Sequence, residues 1–258
     1  MLNQPRLDEI LRRLSQDQRI LVADLAQDLH VSDETIRRDL KHLEEQGKLR
    51  RIHGGAILPR NNVEQPLEVR SKIKPQAKAQ VAQLAAGLVR EGMSLFIDTG
   101  TTTLALAGRL TGFQQLNVVT NSLDIAQLLA QQSSNRIIVT PGDLRRNDNA
   151  LIGPHTTEFA LQFHYDIAFM GIGAVDLEIG LMDYEEPEAL LRRTLVRRCQ
   201  RSVVLADDGK FGRRTFVSTL PFAAITTLIS NKPIPGDYHA RLEQANVDVI
   251  TPRMPPAD

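Results

Sequence analysis

The segment from Ser94 to Ala107 has the sequence SLFIDTGTTTLALA. It contains a short apolar run, then a polar turn centred on Gly100, then a second apolar pattern. A short apolar run bounded by a turn is typical of a buried strand, and the later leucines suit a helix. A strand that leads through a glycine turn into a helix is the repeating unit of a parallel sheet. The segment therefore predicts an α/β fold with a polar turn at the end of a strand.

Short apolar runs alternate with helix-like runs from residue 77 to the end of the chain. Such alternation predicts a mainly parallel sheet that is covered by helices on both faces. The runs predicted as strands are SLFID, LNVVT, RIIVT, DIAFM, SVVLA, AAITTLIS and VDVIT. Ligands of such sheets bind at the carboxyl ends of the strands, so the residues directly after these runs are the candidate site.

Glycines, threonines and other polar residues follow several of these strands. Glycine permits close approach of the backbone, a helix N-terminus favours an anion, hydroxyls donate hydrogen bonds and a lysine supplies positive charge. These features predict a pocket for a phosphorylated ligand, with Asp98 suited to sugar hydroxyls. The residues expected at the pocket are Asp98, Gly100, Thr101, Thr102, Thr103, Thr120, Asn121, Gly142, Gly171, Gly173, Glu188 and Lys210.

The same pocket is compatible with catalysis. Turnover of a sugar phosphate requires a positioned acid and base, and the candidates are Asp98, Asp176, Glu185, Glu188 and Lys210. The acidic residues among 183–188 also suit the start of the helix that follows them, where negative charge is favourable. The residues alone leave two functions open, a sugar-phosphate enzyme and a sugar-phosphate sensor.

The first 58 residues have a different organisation. Amphipathic spacing predicts helices at 6–15 and 22–29, and a third helix that begins after Ser32 and stops near Gly47. The run KLRRIHGGAIL then predicts a β-hairpin. Two helices joined by a tight turn and followed by a hairpin are the winged helix-turn-helix arrangement, although small helical bundles show similar patterns.

Charge supports this interpretation of the first 58 residues. The chain as a whole has a formal net charge of zero, but residues 35–60 carry seven Lys/Arg against three Asp/Glu. A third helix in the major groove would place its first turns against bases and phosphates. The residues expected to contact double-stranded operator DNA are Ser32, Thr35, Arg37, Arg38, Lys41, Arg50, Arg51 and His53.

The sequence predicts three regions: a winged helix-turn-helix domain at 1–58, a linker at 59–76 that is rich in proline and polar residues, and an α/β domain at 77–258. Cys199 is the only cysteine, and no Cys/His set has zinc spacing, so no cofactor or metal is predicted. The polar N-terminus and the lack of a long apolar run predict a cytoplasmic protein without membrane contact.

These motifs resemble the DeoR family of bacterial transcription regulators along essentially the whole chain. The segment VSDETIRRDLKHLEEQGKLRRIHGGA, from Val31 to Ala56, is very close to the family signature. Further landmarks follow in order, namely DTGTTT, VTNS, Gly153, FMGIG and DDGKFG. The resemblance implies a second domain similar to ribose-phosphate isomerases and glucosamine-phosphate deaminases, which in these regulators binds a phosphorylated sugar or polyol instead of converting it.

The sequence departs from the family pattern at three places. Pro141-Gly142 stands where two glycines are common, and Gly209 stands where a serine usually precedes the lysine. Most carboxylates of the isomerases' acid-rich stretch are absent from 171–176. This last departure favours sensing over catalysis. The resemblance thus implies a homo-oligomeric repressor of a carbohydrate or polyol operon, without catalytic residues, that a phosphorylated sugar releases from its operator. The alternative is an isomerase or deaminase with an appended DNA-binding domain.

Overall fold

The computed structural model describes residues 4–17, 19–57, 64–131 and 134–252. The chain divides into two compact units, an amino-terminal unit, Met1–Val63, and a carboxy-terminal unit, Glu64–Asp258. The boundary falls inside the predicted linker, of which residues 59–63 lie outside the described residues. Within the described ranges, no helix is long and apolar enough to span a membrane.

The amino-terminal unit contains the predicted helices as α1 (Gln4–Asp17), α2 (Val22–Asp28) and α3 (Asp33–Glu45). The Ser32 side chain caps α3, because its Oγ accepts a hydrogen bond of 3.3 Å from the Thr35 backbone N–H. The helices share an apolar core that includes Ile10, Leu14, Leu25, Ile36, Leu40 and Leu43. The predicted helix-turn-helix is therefore confirmed as a packed unit.

Three short strands complete this unit: β1 (Arg19–Leu21), β2 (Arg50–Ile52) and β3 (Gly55–Ile57). They form an antiparallel sheet in the order β1-β3-β2. The hairpin of β2 and β3 is the predicted wing. Strand β1 was not predicted, because three residues between two helices carry no visible periodicity. Its pairing with β3 joins the wing to the helices.

Gly55 makes this pairing possible. A Cβ atom at this position would overlap the backbone carbonyl oxygen of Ile20 and lie 3.2 Å from the Leu21 Cα. We expect Gly55→Ala to lower the free energy of unfolding of the amino-terminal unit by about 1–3 kcal/mol, the usual cost of overpacking. Thermal unfolding of the full chain measures this effect.

Gly54→Ala is the matched control, since Gly54 has φ +75° but no atom within 4 Å of an added Cβ. It isolates the cost of a left-handed backbone, about 1–2 kcal/mol. Unfolding of the Gly55→Ala variant at the wild-type temperature would contradict the close approach of β1 and β3.

A buried ion pair connects the first and third helices. Asp39 is fully buried on α3, and its Oδ2 accepts a hydrogen bond of 2.5 Å from Nε of Arg6 on α1. A second hydrogen bond of 3.3 Å joins Arg6 Nη2 to Asp39 Oδ1. This pairing raises the pKa of Arg6. It involves the buried side of α3, so the side chains on the other side of the helix stay exposed.

The carboxy-terminal unit is built on a seven-stranded sheet in the order β15-β14-β12-β9-β4-β5-β6, with every neighbouring pair parallel. This confirms the predicted α/β fold. Its strands are β4 (Ser94–Ile97), β5 (Asn117–Thr120), β6 (Arg136–Val139), β9 (Tyr165–Gly171), β12 (Cys199–Leu205), β14 (Thr227–Ile229) and β15 (Asp248–Ile250). The helices are α4 (Leu67–Lys72), α5 (Pro75–Ala86), α6 (Thr101–Leu110), α7 (Leu123–Ala130), α8 (Pro154–Ala160), α9 (Glu186–Leu195) and α10 (Gly236–Gln244).

Side chains alternate between the two faces of this sheet. Leu95 and Ile97 of β4 belong to the apolar cluster that includes α5, α6 and α7. Phe96, between them, belongs to the cluster that includes α8, α9 and α10. The sheet is therefore buried on both faces, as the apolar runs predict.

The strand order reverses between β4 and β9. Strands β5 and β6 follow β4 on one side, whereas β9, β12, β14 and β15 extend the other side. The carboxyl ends of β4 and β9 thus flank a topological switch point, the usual place of a ligand site in such sheets. Asp98 follows β4, and Gly171 ends β9.

Several elements were not predicted. Helix α4 and the start of α5 lie within the predicted linker, and their residues belong to the carboxy-terminal unit. The polar stretch after β6 forms a hairpin of β7 (Asp143–Arg145) and β8 (Ala150–Ile152). A small antiparallel sheet contains β10 (Ala174–Asp176), β11 (Gly180–Asp183) and β13 (Val217–Leu220). A 3₁₀ turn, Phe222–Ala224, precedes β14.

Candidate functional site

The exposed face of α3 carries the predicted DNA-contacting side chains. Arg37, Arg38 and Lys41 are exposed, and Thr35 is half-buried beside the capping Ser32. The Arg37 side chain is 61% exposed and lies 4.0 Å from Asp33 one turn earlier. The three cations are therefore accessible on the front half of α3, after the exposed Asp33 and Glu34 of its first turn, and a recognition helix contacts bases and phosphates in this part.

The wing differs from the prediction in one detail. Arg50, Arg51 and His53 are exposed on or beside β2. However, Arg51 Nε donates a hydrogen bond of 2.6 Å to Glu44 Oε2, and its backbone N–H donates one of 2.8 Å to Glu44 Oε1. Arg51 therefore joins the wing to α3 while its side chain stays 44% exposed, and Arg50 and His53 are exposed beside it.

In the carboxy-terminal unit, a pocket lies at the switch point. One wall is the turn from β4 into α6, where Thr99, Gly100, Thr101 and Thr102 line the pocket. Gly100 has φ +151° and precedes the first turn of α6, whose backbone N–H groups have no partner within the helix. This wall offers donors and the positive end of a helix to an anion.

Other predicted residues support this turn without lining the pocket. The Asn121 Oδ1 accepts a hydrogen bond of 2.9 Å from the Thr99 N–H. Thr120 Oγ1 donates one of 2.6 Å to the Ile97 carbonyl, and Thr103 Oγ1 donates one of 3.0 Å to the Gly100 carbonyl. These three side chains position the turn, and their placement favours a structural role over ligand contact.

A buried arginine lines the pocket. Arg192 is 4% exposed on α9 and pairs with three carboxylates, those of Asp98 after β4, Asp183 on β11 and Glu188 one turn earlier on α9. Its Nε donates a hydrogen bond of 2.7 Å to Asp98 Oδ2, its Nη1 forms an ion pair with Asp183, and Nη1 lies 3.9 Å from Glu188. Asp98, predicted to bind sugar hydroxyls, is thus held beneath the pocket by Arg192.

Burial and the neighbouring charges determine the pKa values of Asp98 and Glu188. Burial raises the pKa of Asp98 to about 6, opposed by Arg192. Burial also tends to raise the pKa of Glu188, but the adjacent Arg192 and Arg145 outweigh this effect and lower the pKa. The two carboxylates therefore differ because Glu188 has two arginine partners and Asp98 has one.

Lys210 and Arg70 supply the cations at the rim. Lys210 Nζ lies 3.4 Å from the Gly173 carbonyl, and burial lowers the pKa of Lys210 against the attraction of Asp207 and Glu64. Arg70 Nη1 pairs with Glu64 Oε1 at 2.8 Å. Arg70 Nη2 is buried and makes no hydrogen bond to any residue in the described part of the chain.

The structure brings six of the twelve predicted pocket residues to the lining: Gly100, Thr101, Thr102, Gly171, Glu188 and Lys210. Sequence reasoning missed five charged lining residues: Glu64, Arg70, Asp148, Asp183 and Arg192. Arg192 lies on a helix with several arginines, and nothing in its sequence shows which arginine faces inward. Glu64 and Arg70 lie in a segment predicted as linker.

Three carboxylates of the pocket lie close together. Oxygen atoms of Glu64, Asp148 and Glu188 are within 4.8 Å of one another, a spacing that suits a cation. Each already has an arginine, since Arg70 contacts Glu64 and Arg145 contacts both Asp148 and Glu188. The guanidinium groups satisfy this cluster, so we assign it to the ion-pair network.

Glycines at two of the places compared with the family pattern, Gly142 and Gly209, have local packing reasons. Gly142 has φ +147°, and a Cβ there would overlap Thr156 Oγ1, so Gly142 packs against α8 instead of lining the pocket. At Gly209, a Cβ would lie 2.9 Å from Asp207 Oδ1 and 3.0 Å from Lys74 Nζ. The glycine leaves room for Lys74, which pairs with Asp208 at 2.8 Å.

A winged helix-turn-helix unit followed by a parallel α/β unit, with a pocket of three cations and four carboxylates at its switch point, is the domain arrangement of ligand-sensing transcription regulators. The chain belongs to the DeoR family. Residues 6–62 match the DeoR-like helix-turn-helix domain, and residues 73–232 match the DeoR C-terminal sensor domain.

Named relatives agree with this assignment. The chain is 32% identical to the glycerol-3-phosphate regulon repressor of Escherichia coli strain K12, over 92% of this chain and 97% of that protein. It is 37% identical to the repressor of the same name from Haemophilus influenzae, over 82% and 83% of the two chains. It is 33% identical to the regulator GlpR of Haloferax volcanii, over 97% and 98%.

Solved structures share part of the architecture at low similarity. A ribose 5-phosphate isomerase from Methanocaldococcus jannaschii is 19% identical, with a TM-score of 0.39 over 53% of this chain and 54% of that one. The eIF2B delta subunit from Chaetomium thermophilum is 14% identical, with a TM-score of 0.48 over 77% and 63%. Likeness of this degree carries no conclusion about activity.

Proposed function

We propose that this DeoR-family regulator represses a carbohydrate or polyol operon and that a phosphorylated sugar or polyol releases it from operator DNA. In this scheme residues 1–58 bind DNA, and residues 77–258 bind the effector together with Arg70 of the segment 59–76, which also couples the two. The observation that carries the effector proposal is the pocket at the switch point. There the N-terminus of α6 lines the same space as Lys210 and Arg70, whose Nη2 makes no hydrogen bond within the described residues and lies 3.5 Å from Asp148.

A phosphate monoester fits this pocket chemically. At neutral pH it carries close to two negative charges and three acceptor oxygens, which suit backbone N–H groups, a lysine and an arginine. The carboxylates Glu188 and Asp183 accept hydrogen bonds, so they suit sugar or polyol hydroxyls on the same ligand. The names of the relatives make glycerol 3-phosphate the first ester to test.

Ligand-dependent stabilisation tests the pocket directly. We expect one of the phosphate esters glycerol 3-phosphate, fructose 6-phosphate and galactosamine 6-phosphate to raise the melting temperature of the purified chain. At 100 times its dissociation constant, a ligand stabilises the native state by about 2.7 kcal/mol. The unphosphorylated alcohols are the controls. No shift with an extended panel of phosphate esters would contradict the proposal.

We also propose that the pocket senses its ligand without converting it. The carboxylates considered for catalysis have cationic partners: Asp98 pairs with Arg192, Asp176 with Arg214, and Glu188 with Arg145. Asp176 also lies outside the pocket lining. The arginine partners lower the pKa of Glu188 and Asp176, which makes these two carboxylates weaker bases. Burial raises the pKa of Asp98, but Asp98 is held by Arg192 and does not line the pocket. Incubation of the panel with the protein should therefore leave every ester unchanged by NMR, and turnover would favour the enzyme alternative.

A homo-oligomer acting in the cytoplasm completes the proposal. Paired helix-turn-helix units recognise two half-sites and gain affinity and spacing specificity. Several large apolar side chains of the carboxy-terminal unit are exposed, including Phe216 at 73%. Their burial between subunits would be favourable. Light scattering at micromolar concentration should give at least a dimer mass.

A further inference from the structure

Glu64 places a negative charge inside the pocket proposed for an anionic ligand. It is the first residue of the carboxy-terminal unit, its side chain is 14% exposed, and it lines the pocket with Arg70 and Lys210. Its carboxylate pairs with Arg70 Nη1 at 2.8 Å and attracts Lys210. These are the cations that a phosphate ester would need.

The buried position of Glu64 disfavours its negative charge, although Arg70 and Asn147 contact the residue. Burial raises its pKa to about 7, repulsion from Glu188 adds to this, and attraction to Arg70 and Lys210 only partly compensates. Its backbone carbonyl accepts a hydrogen bond of 3.3 Å from Asn147 Nδ2. A more highly charged anion would gain more from Arg70 and Lys210 than Glu64 does.

Arg70 is more firmly anchored than Glu64, and it also contacts Gln65, the residue that follows Glu64. Lys78 donates a hydrogen bond to the Arg70 backbone carbonyl, which fixes the end of α4 to α5. The Arg70 Nε donates one of 2.8 Å to the Gln65 carbonyl. Arg70 therefore holds both Glu64 and Gln65, and a ligand that recruits its guanidinium competes with both contacts.

We propose that Glu64 occupies the position of the ligand's anionic group, so that a bound phosphate ester displaces Glu64 and frees the start of the carboxy-terminal unit. The inference rests on the proposed function. Only six residues, 58–63, separate Glu64 from Ile57, the last residue of the wing strand β3. Displacement of Glu64 thus gives effector binding a route along the chain to the DNA-binding unit.

Competition of this kind has a definite consequence for affinity. If a site is open for only a fraction of the time, the apparent affinity for its ligand is the intrinsic affinity multiplied by that fraction. If Glu64 leaves the cations for about one-tenth of the time, removing its charge tightens ligand binding about tenfold. If effector binding weakens operator binding, operator binding weakens effector binding by the same factor. A substitution that mimics displacement of Glu64 should therefore lower the operator affinity of the unliganded protein.

The test compares Glu64→Gln and Glu64→Ala with Glu68→Gln in the full chain. Glu68 is an exposed carboxylate on the same segment and pairs with Lys72 at 3.0 Å, so it controls for loss of one negative charge. Titration calorimetry measures binding of inorganic phosphate and of the tightest ester of the panel. Fluorescence anisotropy measures operator affinity with and without that ester.

We expect both Glu64 variants to bind the ester about tenfold more tightly than wild type and, without ester, to bind operator more weakly, as liganded wild type does. Glu68→Gln should match wild type in both measurements. Unchanged or weaker ester binding by the Glu64 variants would overturn the inference, as would unfolded variants by circular dichroism, since Glu64 would then be structural. If wild type binds no ester at all, the proposed function itself fails.

Discussion

Arg38→Ala is expected to lower operator affinity by about 5- to 150-fold, because loss of one arginine contact to DNA costs ~1–3 kcal/mol. Arg38 is exposed on α3, and the core of the unit is formed by other positions of that helix, including Ile36 and Leu40. The variant should therefore unfold at the wild-type temperature. Anisotropy titration with operator DNA, identified by selection from random duplexes, measures the loss.

The salt dependence of binding separates two roles for Arg38. If it contacts a phosphate, the slope of log affinity against log salt falls by about one. If it contacts a base edge, the loss depends on operator sequence instead. Arg12→Ala is the matched control, because Arg12 is an exposed arginine on α1 that pairs with Glu9. Wild-type affinity in both Arg37→Ala and Arg38→Ala would contradict the recognition helix.

Lys210→Ala is expected to leave operator binding intact and to weaken effector binding by about 10- to 150-fold. A hydrogen bond to a charged group contributes ~1.5–3 kcal/mol, and each 1.4 kcal/mol is about tenfold. The fold should tolerate the change, since Lys210 makes one long hydrogen bond of 3.4 Å and its pKa is already lowered by burial. Calorimetry with the tightest ester and anisotropy with operator measure the two affinities.

Lys232→Ala serves as the control for Lys210→Ala. Lys232 also lies near the carboxyl ends of the strands, but it is 65% exposed and pairs with Asp208 at 3.0 Å instead of lining the pocket. Its loss should leave the ester response unchanged. A Lys210→Ala variant that responds at the wild-type ester concentration would show that the anionic group binds elsewhere.

Local patterns account for what the sequence predicted. The turn from β4 into α6 was predicted because an apolar run, a glycine and a helical pattern are adjacent in the chain. The same holds for α3, whose capping residue Ser32 is itself local. In both cases neighbouring residues determine the conformation, and the expected element is present.

The charged part of the pocket depends on contacts that sequence spacing does not reveal. Arg192 and Asp98 are 94 residues apart, and periodicity places Arg192 on a basic helix without showing that it faces inward. Glu64 and Arg70 lie in a segment without helical periodicity, where proline suggests a linker. Their positions follow from contacts with Asn147 and Asp148, which are distant in the sequence and come together only in the folded unit.

The central claim is that a phosphate ester bound in the carboxy-terminal unit changes how the amino-terminal unit binds DNA. The most direct test is the operator affinity of the wild-type chain while the tightest ester of the panel is titrated in. We predict a decrease of about 5- to 150-fold, which corresponds to a coupling of ~1–3 kcal/mol, with a midpoint at the ester's dissociation constant. Unchanged operator affinity at an ester concentration that saturates the pocket by calorimetry would contradict the claim.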